Sequence, residues 1–176
     1  MTKERPSPEE LDAQFAPGTP AVAAIDWVNR FLAGGLRPVW SRTDPDLRLA
    51  MAQGFILANG AHPQLAGRDR DRLAARIVRA DHADAWALEV IGHLGDGLRR
   101  GLPAWLLERR CGVPSGPRPV TPGYEEVLLV ETDDGRLLLY PGEWLRTRAL
   151  LLHDTPEGWL LASFDRQVPV PGWPPG

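Results

Sequence analysis

The segment GVPSGPRPVTPG, residues 112–123, constrains this chain more than any other, because its four prolines and three glycines suit neither a helix nor a central strand. Apolar spacing is helical on its N-terminal side, from Thr19 to about Arg110. On its C-terminal side, from Tyr124 to Gln167, the spacing is that of strands. Helices followed by strands, rather than alternating with them, predict an α+β fold with helices packed on one face of a curved antiparallel sheet. The expected organisation is a mobile tail over residues 1–18, a single α+β domain over 19–167 and an extended tail over 168–176, with Trp173 the only residue there able to anchor it.

The first helix is expected to start at Thr19-Pro20, where a threonine oxygen caps free amides and proline presets the first-turn angle. It stops at Gly34-Gly35. Ala21, Ala24, Ile25, Val28, Phe31 and Leu32 fall on a stripe about 120° wide. Asp44-Pro45 opens a second helix that ends at Asn59-Gly60. A third is expected from Arg68 through the nineties, where Gly92, Gly95 and Gly97 weaken its end. Leu102 to Arg110 reads as a fourth. The strands are read as Glu126–Thr132, Arg136–Tyr140, Glu143–His153 and Trp159–Gln167, with a tight turn at Asp134-Gly135 and another at Thr155–Gly158.

Composition removes several functions. With 176 residues, a net charge of −3 and one cysteine, the chain has neither the basic footprint of a nucleic-acid binder nor an internal disulfide. No apolar run of about 18 residues is present to span a membrane, and the charged N-terminus is unlike a secretory signal, so a cytoplasmic protein is expected. Its 19 arginines against one lysine suit a GC-rich bacterial genome. No phosphate-cradling or dinucleotide-binding glycine motif is present, and no cofactor is expected. Ser163 lacks a nucleophile elbow. Cys111 stands beside Arg109 and Arg110, whose charge would lower its pKa, but no histidine is near it in sequence.

Two constellations carry candidate chemistry. On the third helix His82, Trp86, Glu89 and His93 fall within about 60°, opposite the core stripe of Leu73, Ile77, Leu88, Ile91 and Leu98. Such a stripe lines a polar pocket in which Glu89 orients a histidine for proton transfer, or it is a solvated face with Trp86 covering its neighbours. His82 and Glu89 are about 10 Å apart along the axis, too far to share a metal ion, and no metal site is assigned. On the strands, alternation in LRTRALLLH sends Arg146 and Arg148 to water and Leu145, Thr147, Ala149, Leu151 and His153 to the concave face. Asp165 shares a face with Trp159 and Leu161; inside an apolar pocket desolvation would make it a base, and at a fraying strand end it would simply face solvent. The candidate catalytic residues are therefore His82, His93, His153 and Asp165. The candidate ligand contacts are Trp27, Phe31, Trp86, Glu89, Thr147 and Trp159. Trp144, Leu150 and Leu152, with Arg146 and Arg148, would give one sheet face the mixed character of a homodimer surface.

The runs AVAAIDWVNRFLAGGLRPVWSRTDPDLRLAMAQGFILAN, EEVLLVETDDGRLLL and RALLLHDTPEGWLLASF resemble the nuclear transport factor two-like superfamily, which includes ketosteroid isomerase and polyketide cyclases. The resemblance covers residues 20–167. It implies a cone-like, cystatin-like architecture whose helices close over a bent sheet around an apolar small-molecule pocket, often in a homodimer. Ketosteroid isomerase works with an aspartate base opposite a tyrosine and a protonated aspartic acid. Here Tyr124 and Tyr140 both lie in the strand half, so no catalytic residue of the family carries over. Three functions stay open: a binder of a small apolar or aromatic molecule, a general acid/base isomerase, cyclase or dehydratase, and a homodimeric or partner-binding assembly module.

Overall fold

The computed structural model describes residues 13, 15–142 and 144–176. Most of the expected N-terminal tail, residues 1–12 and 14, lies outside them. The fold is α+β, with an open antiparallel sheet and helices against it.

Helix α1 (Pro20–Gly34) begins where Thr19 accepts a hydrogen bond from the Val22 amide, and it buries Ala21, Ala24, Trp27, Val28 and Phe31. Its carbonyl end is capped from a distance, since Arg99 donates to the Phe31 and Leu32 carbonyls while lying over the Phe31 ring. A 3-10 turn (Arg37–Arg42) leads to α2 (Pro45–Ala58), which Asp44 caps by accepting from the Asp46 amide.

The expected third helix is two helices, α3 (Arg70–Val78) and α4 (Ala85–Gly101). Asp81 accepts from the Ala83 and Asp84 amides, and Asp84 then caps α4 by accepting from Ala87, so two aspartates compete with the helical ladder and win. Arg76 clamps the Asp84 carboxylate at 2.6 and 2.8 Å. That clamp, with the Ala87 amide, holds the Asp84 carboxyl below the ordinary carboxylate pKa. Beyond the break α4 runs through all three glycines. Gly95 is there for closeness: a Cβ on it would stand 3.0 Å from the Leu36 side chain and 3.1 Å from its amide. The fourth helix is only α5 (Ala104–Leu107).

The strands are β1 (Cys111–Gly112), β2 (Arg118–Thr121), β3 (Tyr124–Asp133), β4 (Arg136–Leu137), β5 (Thr147–Thr155) and β6 (Gly158–Ser163). The sheet runs β1-β3-β5-β6, with β2 and β4 also paired to β3. Part of the proline-rich divider is thus a strand after all, at an edge where Pro119 needs no ladder partner on its outer side, and its register slips between Pro119 and Thr121. The strand expected over Arg136–Tyr140 is only two residues long. Pro141-Gly142 turns the chain back, and Tyr140 donates its hydroxyl to Glu131 at 2.6 Å, stacking on Trp144. Beyond β6 the sheet continues, among the described residues, as a parallel bridge from Thr43 to Leu161, with the Asp44 amide donating to the Leu161 carbonyl.

The register reverses the expected facing of β5. Leu150 opposes Val127 and Arg148 opposes Leu129, and Val127, Leu129, Leu150 and Leu152 all belong to the core cluster shared with α1. Cross-strand partners share a face, so Arg148 lies on the helical side while Thr147, Ala149, Leu151 and His153 lie on the other. Leu150 and Leu152 are therefore buried and do not form the mixed outer surface read from the sequence. Leu151 is buried as well, so three successive leucines carry no alternation from which a face can be read.

Residues 168–176 contain neither helix nor strand but dock on α2 and α3. The Gly172 amide donates to the buried Gln53 side chain, the Trp173 indole donates to Asp71, and Arg70 lies over the Trp173 ring.

Candidate functional site

A partly enclosed cavity of about 440 Å³ lies on the helical side of the molecule, between the end of α2, the following segment and the exposed stripe of α4. Phe55 and Asn59 come from the end of α2, and His62, Gln64 and Leu65 from the segment after it. Trp86, Glu89, Val90, His93, Asp96 and Arg100 come from α4, at three- and four-residue steps that set them in one row. Buried Leu65 and Val90 give the cavity an apolar floor, and charged side chains rim it.

Local bonds orient several of these groups. Arg76 lies 4.6 Å over the Trp86 ring, so one indole face is covered by the arginine that also clamps Asp84. His62 Nδ1 accepts from the Gln64 amide at 3.3 Å, which leaves Nε2 as the protonated nitrogen of the neutral ring. Asn59 ends α2 by donating to the Phe55 carbonyl. Glu89 and His93 stand 3.8 Å apart, both well exposed. This arrangement can hold a molecule with apolar and charged parts.

The sequence candidates are distributed over six places. Trp86, Glu89 and His93 do line this cavity. His82 lies exposed in the turn between α3 and α4, because the helix that would have aligned it with them is broken. Trp27 and Phe31, expected on a pocket wall, are core residues stacked on each other at 5.2 Å. With Leu129, Leu150, Leu152 and Leu161 they pack between α1 and the sheet, each at 2% exposure or less. Thr147 and Asp165 border an open groove of about 590 Å³. Asp165 is exposed there, accepting from the Ser163 hydroxyl and the Gln167 amide, a turn-forming carboxylate rather than a desolvated base. Trp159 borders a shallow hollow of about 390 Å³ beside residues 119–125.

His153 is paired with Asp44, the residue that opens α2. Its Nδ1 lies 2.6 Å from Asp44 Oδ2, and the Asp44 side chain is 3% exposed. A carboxylate only accepts, so Nδ1 carries the proton of this bond. The imidazole also stacks on Tyr124 at 4.3 Å. Burial, and then the Asp44 and Asp46 carboxylates, push the Tyr124 phenol above its ordinary pKa. Cys111 also differs from expectation, since burial raises its thiol pKa despite the adjacent arginines. It borders a small hollow of about 150 Å³ with Ile25, Val28 and Leu129.

Asp96 and Arg100 were legible in the sequence as continuations of the α4 row. His62, Gln64 and Leu65 were not, because a turn has no period to read. Among the described residues no three His, Cys, Asp or Glu side chains stand together to hold a metal ion, and no helix is long and apolar enough to cross a membrane. No family model, curated protein or solved structure matches the chain.

Proposed function

We propose that this is a small-molecule-binding protein of the nuclear transport factor two-like kind, with its ligand in the cavity between α2 and α4. One observation carries the reading: Trp86, Glu89 and His93 converge with Phe55, His62, Asp96 and Arg100 around about 440 Å³, within the usual range of ligand sites. Among the described residues the hollow between α1 and the sheet is about 150 Å³, below the usual range of ligand sites, which supports that location over an interior one. The helices packed on an antiparallel sheet support the family resemblance. The acid/base alternative would rest on His93 and Glu89, the only sequence candidates for that chemistry lining this cavity. The test is a small-fragment library titrated into the ¹⁵N-labelled protein. Amide shifts are expected at residues 55–65 and 86–100. Shifts confined to the sheet groove, or no shifts with any fragment, would overturn the reading.

A second reading, self-assembly, is favoured by β4 and the loop after it. Leu137, Leu139 and Trp144 stand 49%, 61% and 49% exposed there, close in sequence on one excursion from the sheet. Sedimentation of the wild type and of Trp144→Ser is the measurement: a dimer at tens of micromolar, roughly the range of a moderately stable pair, weakened in the variant, is expected. A wild-type monomer throughout that range rejects it.

A further inference from the structure

We propose that the α2–α4 cavity takes a small zwitterion bearing an apolar or aromatic group, the chemical class of the α-amino acids. This rests on the cavity being the ligand site, and it adds the charge pattern of the ligand.

The argument begins with a pair that does not form. Asp26 and Arg30, four residues apart on α1, make an ion pair at 2.8 Å, as that spacing on a helix favours. Asp96 and Arg100 repeat the same residues at the same spacing on α4, yet neither has an ion-pair or hydrogen-bond partner among the described residues, and both border the cavity. Glu89 is already beside His93. The rim therefore offers one unengaged carboxylate and one unengaged guanidinium, about 6 Å apart along the helix axis. A lone cation would satisfy Asp96 and leave Arg100 unmatched, and a lone anion would do the reverse. A molecule whose ammonium and carboxylate are separated by one carbon answers both, with the carboxylate on the planar fork that arginine presents.

Two further features set polarity and bulk. The C-terminal end of α2 borders the cavity through Phe55 and Asn59 and has no basic residue in its last turn, so the partial negative charge of that helix end favours an ammonium group. Below the rim the wall is Phe55, Leu65 and Val90, which accepts an apolar side chain and gives a purely polar zwitterion nothing to bury against.

The test uses the full chain and calorimetric titration with L-phenylalanine, L-leucine, phenethylamine, which lacks the carboxylate, and 3-phenylpropionate, which lacks the ammonium. L-Phenylalanine or L-leucine is expected to bind at least about tenfold more tightly than either truncated probe, the worth of one charge-assisted contact. Arg100→Gln is expected to remove that advantage while leaving phenethylamine binding unchanged, and Asp96→Asn to do the converse with phenylpropionate. Both side chains are exposed, so the variants keep the fold, and a circular dichroism melt verifies this. Truncated probes that bind in the cavity as tightly as the amino acids overturn the zwitterion proposal and leave the cavity reading standing. So do variants that weaken all four probes equally. If none of the four probes binds while fragments still shift residues 55–65 and 86–100, only this proposal is lost; if neither happens, both are.

Discussion

Replacing Trp27 with alanine is expected to destabilise the protein by about 3–5 kcal/mol, the usual cost of deleting a buried large aromatic side chain. Trp27 stacks on Phe31, meets Phe164 edge-on at 5.3 Å, and donates from its indole nitrogen to Thr43 Oγ1 at 3.1 Å. Thr43 in turn donates to the Val39 carbonyl and bridges to Leu161, so the indole links α1, the 3-10 turn and the sheet edge. For a domain of this size each kcal/mol shifts the melting temperature by about 2–4 °C, so the variant should melt roughly 6–20 °C lower. Trp27→Phe keeps the stack but loses the N–H donor and part of the ring volume, and should cost about 1–3 kcal/mol. Chemical denaturation of the three proteins measures this. A loss below about 1 kcal/mol for alanine would mean that the core re-forms without the indole, contrary to its packing here.

Asp44→Ala should be the next most damaging change, at about 2–4 kcal/mol. About 1 kcal/mol comes from the lost N-cap of α2 and the rest from the bond to His153. One buried carboxylate does both tasks, with Oδ1 on the Asp46 amide at 2.8 Å and Oδ2 on His153 at 2.6 Å. Asp44→Asn keeps a good capping residue and loses the charge, so it is expected to cost roughly half as much. A double-mutant cycle with His153→Ala in urea isolates the pair: a coupling near zero would show that the contact contributes nothing, and equal losses in Asn and Ala would show that the cap does not.

The elements read correctly from sequence are those whose ends carry their own chemistry. Thr19-Pro20, Asp44-Pro45 and Asp134-Gly135 each state a local geometry that no distant contact overrides. The break between α3 and α4 was stated just as locally by Asp81 and Asp84, but a continuous apolar stripe masked it, since period alone does not register two aspartates taking amides from the ladder. The facing of β5 was illegible for a different reason. Arg148 carries a long aliphatic stem that packs on the helical side, where it is half-buried and its Nε has no hydrogen-bond partner among the described residues, a placement that charge alone argues against. With Leu150, Leu151 and Leu152 all buried, only the pairing with β3 decides the side. Trp86, Glu89 and His93 of the candidate site followed from the α4 row, whereas Phe55 and Asn59 come from the end of α2 and His62, Gln64 and Leu65 from a turn that reaches the cavity only through the tertiary fold.

The grip on α2 has a consequence for the order in which the molecule is made. Asp44, at the start of that helix, is held by His153, and Gln53, in its middle, by the Gly172 amide, partners 109 and 119 residues further along the chain. At bacterial and eukaryotic translation speeds this distance is a delay of roughly 5–24 s between the ribosome releasing the helix and supplying what fastens it. Throughout that interval the helices framing the cavity have no sheet edge or C-terminal strap to hold them. Assembly of the cavity wall is thus a late step in biosynthesis, and slowing elongation in the second half of the message lengthens the time in which nascent chains can associate through it.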